Sequence, residues 1–272
     1  MPEKPEVITV VRNLKTRLID KKITDVRVCW DNIIEYPKVS EFCSRLKNQM
    51  VKDITCRGKW IVIELTTDYL LVHLRMEGKF FFREVGETLN KHEHVIITLN
   101  DKEECRFHDV RKFGKMLLLT KQELLTRKPL SEIGLEFDDP KLTGNYLKDK
   151  FANKRLPIKS MLLDQSIIAG IGNIYDDEIL FKSRINPNLR ANLLSEEQCK
   201  DIIINTKLVL DKAIKLGGTT IRTYTSSEGV HGKFQNELQV HGQEICPICQ
   251  KKITKIKVGG RGTYYCENCQ KE

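Results

Sequence analysis

The chain ends in two Cys-x-x-Cys pairs, Cys246-Pro-Ile-Cys249 and Cys266-Glu-Asn-Cys269, with sixteen residues between them. Two such knuckles can present four thiolates tetrahedrally to one Zn²⁺ ion, at about 2.3 Å per Zn–S bond. All four positions would be filled by protein, so the ion would be structural and not catalytic. A pair of redox dithiols is the competing reading, but it does not explain why the pairs flank a short Lys- and Gly-rich stretch. The other five cysteines, Cys29, Cys43, Cys56, Cys105 and Cys199, are scattered singly and read as small apolar thiols. The opposite end carries different chemistry. Trimming of the initiator methionine would expose Pro2 as a secondary amine, and an α-amino group titrates at about 7.7–8.0, so part of it is neutral near pH 7. Attack by such an amine on a sugar C1′ gives an iminium ion that has no N–H to lose and so remains an electron sink. Glu3 beside it is placed to supply a proton. A simple solvated end is the plainer alternative.

Four further constellations fit work on a nucleic acid. Cys56-Arg-Gly-Lys59-Trp60 puts a lysine on a glycine turn leading into a strand. His73-Leu-Arg-Met76-Glu-Gly78 ends another strand with basic, apolar and acidic side chains on a short turn. In Phe107-His-Asp-Val-Arg111-Lys-Phe113-Gly114, Arg111 and Phe113 are two apart, so an extended loop would aim both the same way. A Met, an Arg and a Phe projecting together could unstack a duplex and fill the gap left by an extruded base; ordinary core packing is the alternative. Gly170-Ile-Gly172-Asn173 opens a helix, where backbone N–H groups can meet a phosphate.

These residues need elements to hold them. Over 272 residues there are 46 Lys+Arg against 37 Asp+Glu, a formal charge of +9, with 40% hydrophobic and 7% aromatic residues. That is enough apolar material for real cores, which argues against wholesale disorder, and the positive charge suits a polyanionic partner. No run reaches the roughly eighteen apolar residues of a membrane span, and the start lacks a signal peptide's apolar core. A cytosolic location and no membrane partner are expected. Val7, Val10, Val11, Leu14 and Leu18 recur at helical spacing behind Pro5. Six short runs then read as strands: Val26–Trp30, Trp60–Leu65, Tyr69–Leu74, Phe80–Arg83, His94–Leu99 and Met116–Leu119. They suggest a β-sandwich. From Leu130 to about Lys215 the pattern turns helical, most clearly where Ser195-Glu-Glu-Gln198 forms a capping box and Gly217-Gly218 a stop. Gly218 to Glu237 reads as a long loop.

Taken together, the motifs resemble the bacterial formamidopyrimidine-DNA glycosylases. Pro2-Glu3-x-Pro5-Glu6-Val7, Arg-Gly-Lys59, His73-Leu-x-Met76-x-Gly78, Asp109-x-Arg111-x-Phe113-Gly114, Asp164-Gln-x-x-x-Ala-Gly-Ile-Gly-Asn173-Ile-Tyr175 and Gly-Gly-Arg261-Gly-Thr-x-x-Cys266-x-x-Cys269-Gln stand in that family's order from end to end. The resemblance implies an α+β multidomain protein. Residues 1–127 would form an N-terminal catalytic β-sandwich with flanking helices, 128–237 a central helix-two-turn-helix domain with a lesion-capping loop, and 238–272 a four-cysteine zinc finger, with DNA between the two halves. It implies a bifunctional repair enzyme, glycosylase and abasic-site lyase, acting as a nucleoid-associated monomer on double-stranded DNA that contains oxidised purines. By analogy Pro2 attacks C1′, Glu3 protonates the sugar, Lys59 assists base release and β-elimination, and Arg261 holds a phosphate for δ-elimination. Met76, Arg111 and Phe113 match the void-filling residues, with Arg111 facing the orphaned cytosine. His73 belongs to the same DNA-binding motif, and His92, Lys154 and Asn173 match backbone contacts. Thr219 to Phe234 would fold over the extruded base, where Glu77 is also expected. Lys4 and Ile8 depart from the family's usual residues. The sister endonuclease VIII type, acting on oxidised pyrimidines, and a non-catalytic zinc-ribbon DNA-binding protein are the competing readings.

Overall fold

Helical spacing puts Val7, Val10, Val11, Leu14 and Leu18 on one face of α1 (Lys4–Leu18), and all five are buried. A computed structural model describes residues 1–219 and 232–271, and the chain divides into two compact units. The first comprises Met1–Ser131 with Thr219–Gly232, and the second Glu132–Gly218 with Lys233–Glu272. Among the described residues no helix is long and apolar enough to cross a membrane.

In the first unit α1 is followed by β1 (Ile23–Val28), β2 (Ile34–Tyr36), α2 (Val39–Leu46), β3 (Val51–Arg57), β4 (Trp60–Leu65), β5 (Asp68–His73), β6 (Lys79–Glu84), β7 (Glu93–Leu99), β8 (Glu103–His108), β9 (Lys115–Thr120) and α3 (Lys121–Thr126). The strands form a four-stranded sheet, β1-β7-β8-β6, and a five-stranded sheet, β2-β9-β5-β4-β3. One core is filled from both: Ile23, Val95, Ile97 and Phe107 come from the first, and Ile54, Ile61, Val72 and Leu118 from the second. This is the expected β-sandwich. Each of the six expected runs holds a strand, although β1 ends at Val28, short of Trp30, and β5 at His73, and β2, β3 and β8 are additional. Val51-Lys-Asp-Ile-Thr-Cys-Arg57 and Glu103-Glu-Cys-Arg-Phe-His108 carry too many charges to read as strands, yet each pairs antiparallel along most of its length.

In the second unit α4 (Gly144–Phe151), α5 (Ile158–Leu162), α6 (Asn173–Lys182) and α7 (Glu196–Lys215) surround a separate core that includes Phe151, Leu162, Tyr175, Ile179 and Ile202. Ser195 and Gln198 close the N-terminus of α7 as a capping box, and Gly217 and Gly218, at φ 75° and 81°, end it. A hairpin of β10 (Thr254–Val258) and β11 (Arg261–Tyr265) completes the unit. Its two-residue turn, Gly259-Gly260, has positive φ at both positions, as a type I′ hairpin demands.

Charge is buried in this unit as well. Lys159 in α5 has no exposed side-chain surface, and its Nζ lies 3.0 Å from Asp176 and 2.6 Å from Asp177 in α6. Burial disfavours the ammonium, but the two carboxylates outweigh it and the pKa is raised. Removing the cation would strand two buried acids. Lys159→Met is expected to destabilise the protein by about 3–5 kcal/mol in urea unfolding, and Lys159→Arg by much less.

Candidate functional site

Pro2 and Glu3 are buried at the start of α1. Glu3 is the N-cap, and its backbone N–H donates to Glu6 Oε2 at 2.8 Å. The other Glu6 oxygen accepts the backbone N–H and hydroxyl of Thr219 at 2.8 and 3.1 Å. One carboxylate, 3% exposed, therefore fixes both the start of α1 and the residue at which the expected capping loop begins. Lys59 occupies the two-residue turn between β3 and β4, after Gly58 at φ 55°, and is also buried. Burial holds the Met1 amino group below its ordinary pKa. Lys59 pushes it the same way, and Glu3, Glu6 and Glu77 oppose. An amine made less basic, with a carboxyl and an ammonium around it, is the setting a nucleophilic amine requires. Lys4 is itself buried at 5% exposure.

Two turns rest on one ring. Gly78 ends the turn that follows β5, and Gly114 ends the turn that follows β8. A Cβ on Gly78 would meet Phe107 Cζ at 2.7 Å, and one on Gly114 would meet the same ring at 2.6 Å. Phe107 thus lies against the glycine that ends each of the two turns, the one bearing Met76 and the one bearing Arg111 and Phe113. His73 sets the first turn: its Nδ1 accepts the Arg75 N–H at 2.9 Å, and its ring meets Trp60 edge-on at 4.8 Å. Burial pushes its pKa down to about 3, with Arg75 and Lys59 adding to the shift, so the ring is a neutral acceptor near pH 7. His73 is 8% exposed and faces its own turn, whereas Met76 is half-buried.

The second turn is not extended, as sequence spacing suggests, because Lys112 adopts φ 57°. Its shape comes from Asp109, which has no exposed surface: Oδ1 accepts the N–H of Arg111 at 3.1 Å, and Oδ2 those of Phe113 at 2.8 Å and Gly114 at 2.7 Å. Arg111 and Phe113 still share a side, the guanidinium lying 4.7 Å from the ring centroid. Phe113 is 48% exposed, unusual for a phenylalanine held this firmly. His92 joins the same group, since its carbonyl accepts the Asp109 N–H at 2.9 Å. Arg106, 1% exposed, anchors the preceding loop through Glu93 and the carbonyls of Glu87 and Thr88.

In the second unit Lys154 is exposed just beyond α4. Asn173 is the first residue of α6, behind Gly170-Ile-Gly172. Gln165 closes that loop by accepting the Gly170 N–H and donating to the carbonyls of Leu163 and Ile171. Asn173 Nδ2 donates to Gly262 O at 2.9 Å, which sets it beside exposed Arg261 on the hairpin. The hairpin is held from α6. Asp177 Oδ2 accepts from Tyr264 N at 3.2 Å and lies 2.7 Å from His241 Nδ1, while Glu178 accepts the N–H groups of Gln239, Val240 and His241.

The sulfurs of Cys246, Cys249, Cys266 and Cys269 all lie within 4.8 Å of one another, with cross-pairs at 3.8 and 3.5 Å. A tetrahedral Zn²⁺ with bonds of about 2.3 Å requires sulfur separations of about 3.8 Å, so the four residues fit the ion. Cys249 is drawn down to about 6, chiefly by the Lys251 backbone amide, while burial and the neighbouring thiols push Cys269 up to about 12. Four sulfurs this close need a cation if all are to be thiolates.

Asp109, Glu6, Gln165 and the Asp177–His241 pair carry no role in the sequence reading. Asp109 leaves a weak local signal, an Asx residue able to cap the amides that come after it. His241 leaves none, because its partner is 64 residues away in sequence. The expected capping loop falls largely on residues 220–231, outside the described residues.

Residues 1–116 match the Formamidopyrimidine-DNA glycosylase N-terminal domain, 133–225 the Formamidopyrimidine-DNA glycosylase H2TH domain, and 243–271 a zinc finger found in FPG and IleRS. The chain is 42% identical to the Formamidopyrimidine-DNA glycosylase of Bacillus subtilis over 99% of each chain. It is similar to a Lactococcus lactis FPG mutant in complex with a Fapy-dG containing DNA, with TM-score 0.93, 35% identity and all of both chains covered. It is also similar to Lactococcus lactis Fpg in complex with an abasic site containing DNA, with TM-score 0.92, 35% identity, 99% of this chain and 100% of that one.

Two outcomes are expected from the geometry. The folded pKa of His73 lies well below the 6.5 of an unfolded histidine, so the unfolded state binds the proton first and stability falls as pH drops from about 6.5 toward 3. The loss at pH 5 is expected to be about 2 kcal/mol, and a Gln replacement, His73→Gln, is expected to flatten this part of the pH–stability curve measured by urea titration. Elemental analysis is expected to find one zinc per chain, with Co²⁺ substitution giving the absorption of a tetrahedral four-sulfur site. Cys266→Ser should weaken or abolish both.

Proposed function

The chain belongs to the formamidopyrimidine-DNA glycosylase family, and from that premise we propose that it excises oxidised purines, 8-oxoguanine and formamidopyrimidines, from duplex DNA and then cleaves the abasic strand. The observation that carries the reading is that Pro2 and Glu3 are buried together at the start of α1, where burial and Lys59 lower the pKa of the adjoining Met1 amine against the pull of Glu3, Glu6 and Glu77. With Met1 removed, Pro2 carries the amine at this buried start of α1. Its nitrogen bonds to C1′ as the C1′–base bond breaks, the base leaving with the proton the amine gives up, and Glu3 then protonates O4′ as the C1′–O4′ bond opens. The product is an iminium ion, and loss of the C2′ proton with the help of Lys59 expels the 3′ phosphate. Arg261 holds the flanking phosphate through the second elimination at C5′, and water releases the enzyme to leave a one-nucleotide gap.

Recognition falls to the turns. Met76, Arg111 and Phe113 fill the space vacated by the flipped base, since an exposed phenylalanine on a rigid turn is suited to unstacking a step. Arg111 offers only donors, which matches the two adjacent acceptors, N3 and O2, of an orphaned cytosine and not the N6 donor of adenine. His92, Lys154 and Asn173 meet the DNA backbone, and His73 acts through the turn it shapes. One Zn²⁺ on Cys246, Cys249, Cys266 and Cys269 supplies no reaction step and holds the hairpin that carries Arg261. The three divisions at 127/128 and 237/238, a monomeric state and a cytosolic, nucleoid-associated location complete the reading.

Borohydride trapping tests it. Incubation with an 8-oxoguanine:cytosine duplex and reductant is expected to give a covalent adduct that is lost in Pro2→Gly. Undiminished trapping in that variant would exclude Pro2 as the nucleophile. A thymine-glycol duplex cut faster than the purine duplex would favour the sister pyrimidine specificity.

A further inference from the structure

The turn bearing Arg111 and Phe113 is closed from beneath by Asp109, yet a second contact grips it from the side. Lys112, the residue between the two and the one in the left-handed conformation, places its Nζ 3.9 Å from the centroid of the Trp30 ring. Trp30 lies just beyond β1 and packs against the core of the sandwich, so its ring is a fixed wall. Other bonds tie this segment to the turn. Lys115 Nζ, just past the turn, donates to Asn32 O at 3.0 Å. Cys29 N donates to His94 O at 2.7 Å, and the His94 ring lies 2.8 Å from Asp109 O. The segment from Cys29 to Asn32 is therefore registered to the same residue that closes the turn.

From this arrangement we infer that Trp30 and Lys112 form a lateral clamp that sets how strictly Arg111 discriminates the base opposite the lesion. The inference rests on the reading of Arg111 given above. Discrimination by a donor-only side chain requires that it cannot retreat from a mismatched edge. Arg111 is exposed and stacks on an exposed ring, so its own packing supplies little restraint. The Asp109 carboxylate holds the amides of Arg111, Phe113 and Gly114, but it leaves the Lys112 side chain at the crest to other partners. Cation–π attraction to an indole face supplies that restraint. Neither Trp30 nor Lys112 needs to touch the reacting sugar, so both are positioning residues.

Single-turnover excision of 8-oxoguanine opposite cytosine and opposite adenine tests the clamp, with cleavage of an abasic duplex alongside. Trp30→Leu keeps apolar packing but removes the π face. It is expected to lower the cytosine-over-adenine preference by about fivefold and to leave abasic cleavage at the wild-type rate. Lys112→Met is expected to lower the preference equally, Lys112→Arg and Trp30→Phe to restore most of it, and the double variant Trp30→Leu/Lys112→Met to lose no more than either single one. Because Lys112 is exposed, its variants fold whether or not Trp30→Leu does. An unchanged preference in Lys112→Met would overturn the inference. So would a uniform loss of affinity for every duplex with a shallower salt dependence, which marks a phosphate contact. A wild-type protein that leaves 8-oxoguanine:cytosine intact would instead overturn the underlying reading, and that arm is measured separately.

Discussion

Asp109 is wholly enclosed, and both of its carboxylate oxygens are committed to backbone amides of the turn it begins. The reason is general. A side chain that must project toward a ligand sits best on a tight turn, and a tight turn cannot satisfy its own amides through a helix or a strand. A buried acceptor has to do so. Glu6 does it for Glu3 and Thr219, Gln165 for the glycine loop before Asn173, and Glu178 for Gln239 to His241. Without these acceptors each turn would carry buried, unpaired N–H groups, at about 1–3 kcal/mol apiece. The exposed side chains on these turns thus stand on a small set of buried polar groups that never reach the surface.

Buried charge obeys the same logic. For Lys159 between Asp176 and Asp177, and Arg106 between Glu93 and Glu104, desolvation offsets much of the Coulomb gain, so the ion pairs by themselves add little net stability. What an apolar substitute cannot do is specify one arrangement. Arg106 also binds the carbonyls of Glu87 and Thr88, so the loop leading to His92 has a single seat. Asp177 turns one oxygen to Lys159 and the other to His241 and Tyr264, which joins α5, α6 and the hairpin in one network. Asn173 and Arg261 are therefore set by the same buried acid, with the four cysteines fixing the hairpin's far end.

The sequence exposed what depends on local pattern. The helical face of α1, the capping box at Ser195 and the paired cysteines are written in residues at most a few positions apart, and each is found where spacing puts it. The six apolar strands were legible for the same reason. β3 and β8 were not, because they carry Lys52, Arg57, Glu103 and Arg106, and alternation is masked when a charged residue such as Arg106 points inward to meet two acids. The turn at Arg111 shows a subtler failure. Two-residue spacing put Arg111 and Phe113 on one side, as they are, but through an extended backbone that does not exist. The true cause is Asp109 below and a left-handed Lys112, whose side chain is held by a tryptophan far away in sequence.

Glu6 shows why long-range partners matter most at the start of the chain. Residues just ahead of a helix inherit their position from the helix they lead into. Glu3 caps α1, and its amide is held by Glu6 from the first turn of that helix. The core face of α1, from Val7 to Leu18, anchors the helix in the sandwich. Pro2, buried just ahead of that cap, is thereby seated against the first turn of α1. The second oxygen of Glu6 goes to Thr219, over two hundred residues later. A carboxylate's oxygens are rigidly spaced, so the start of the chain and Thr219 share one geometric reference, and neither can shift without disturbing a bond of the other.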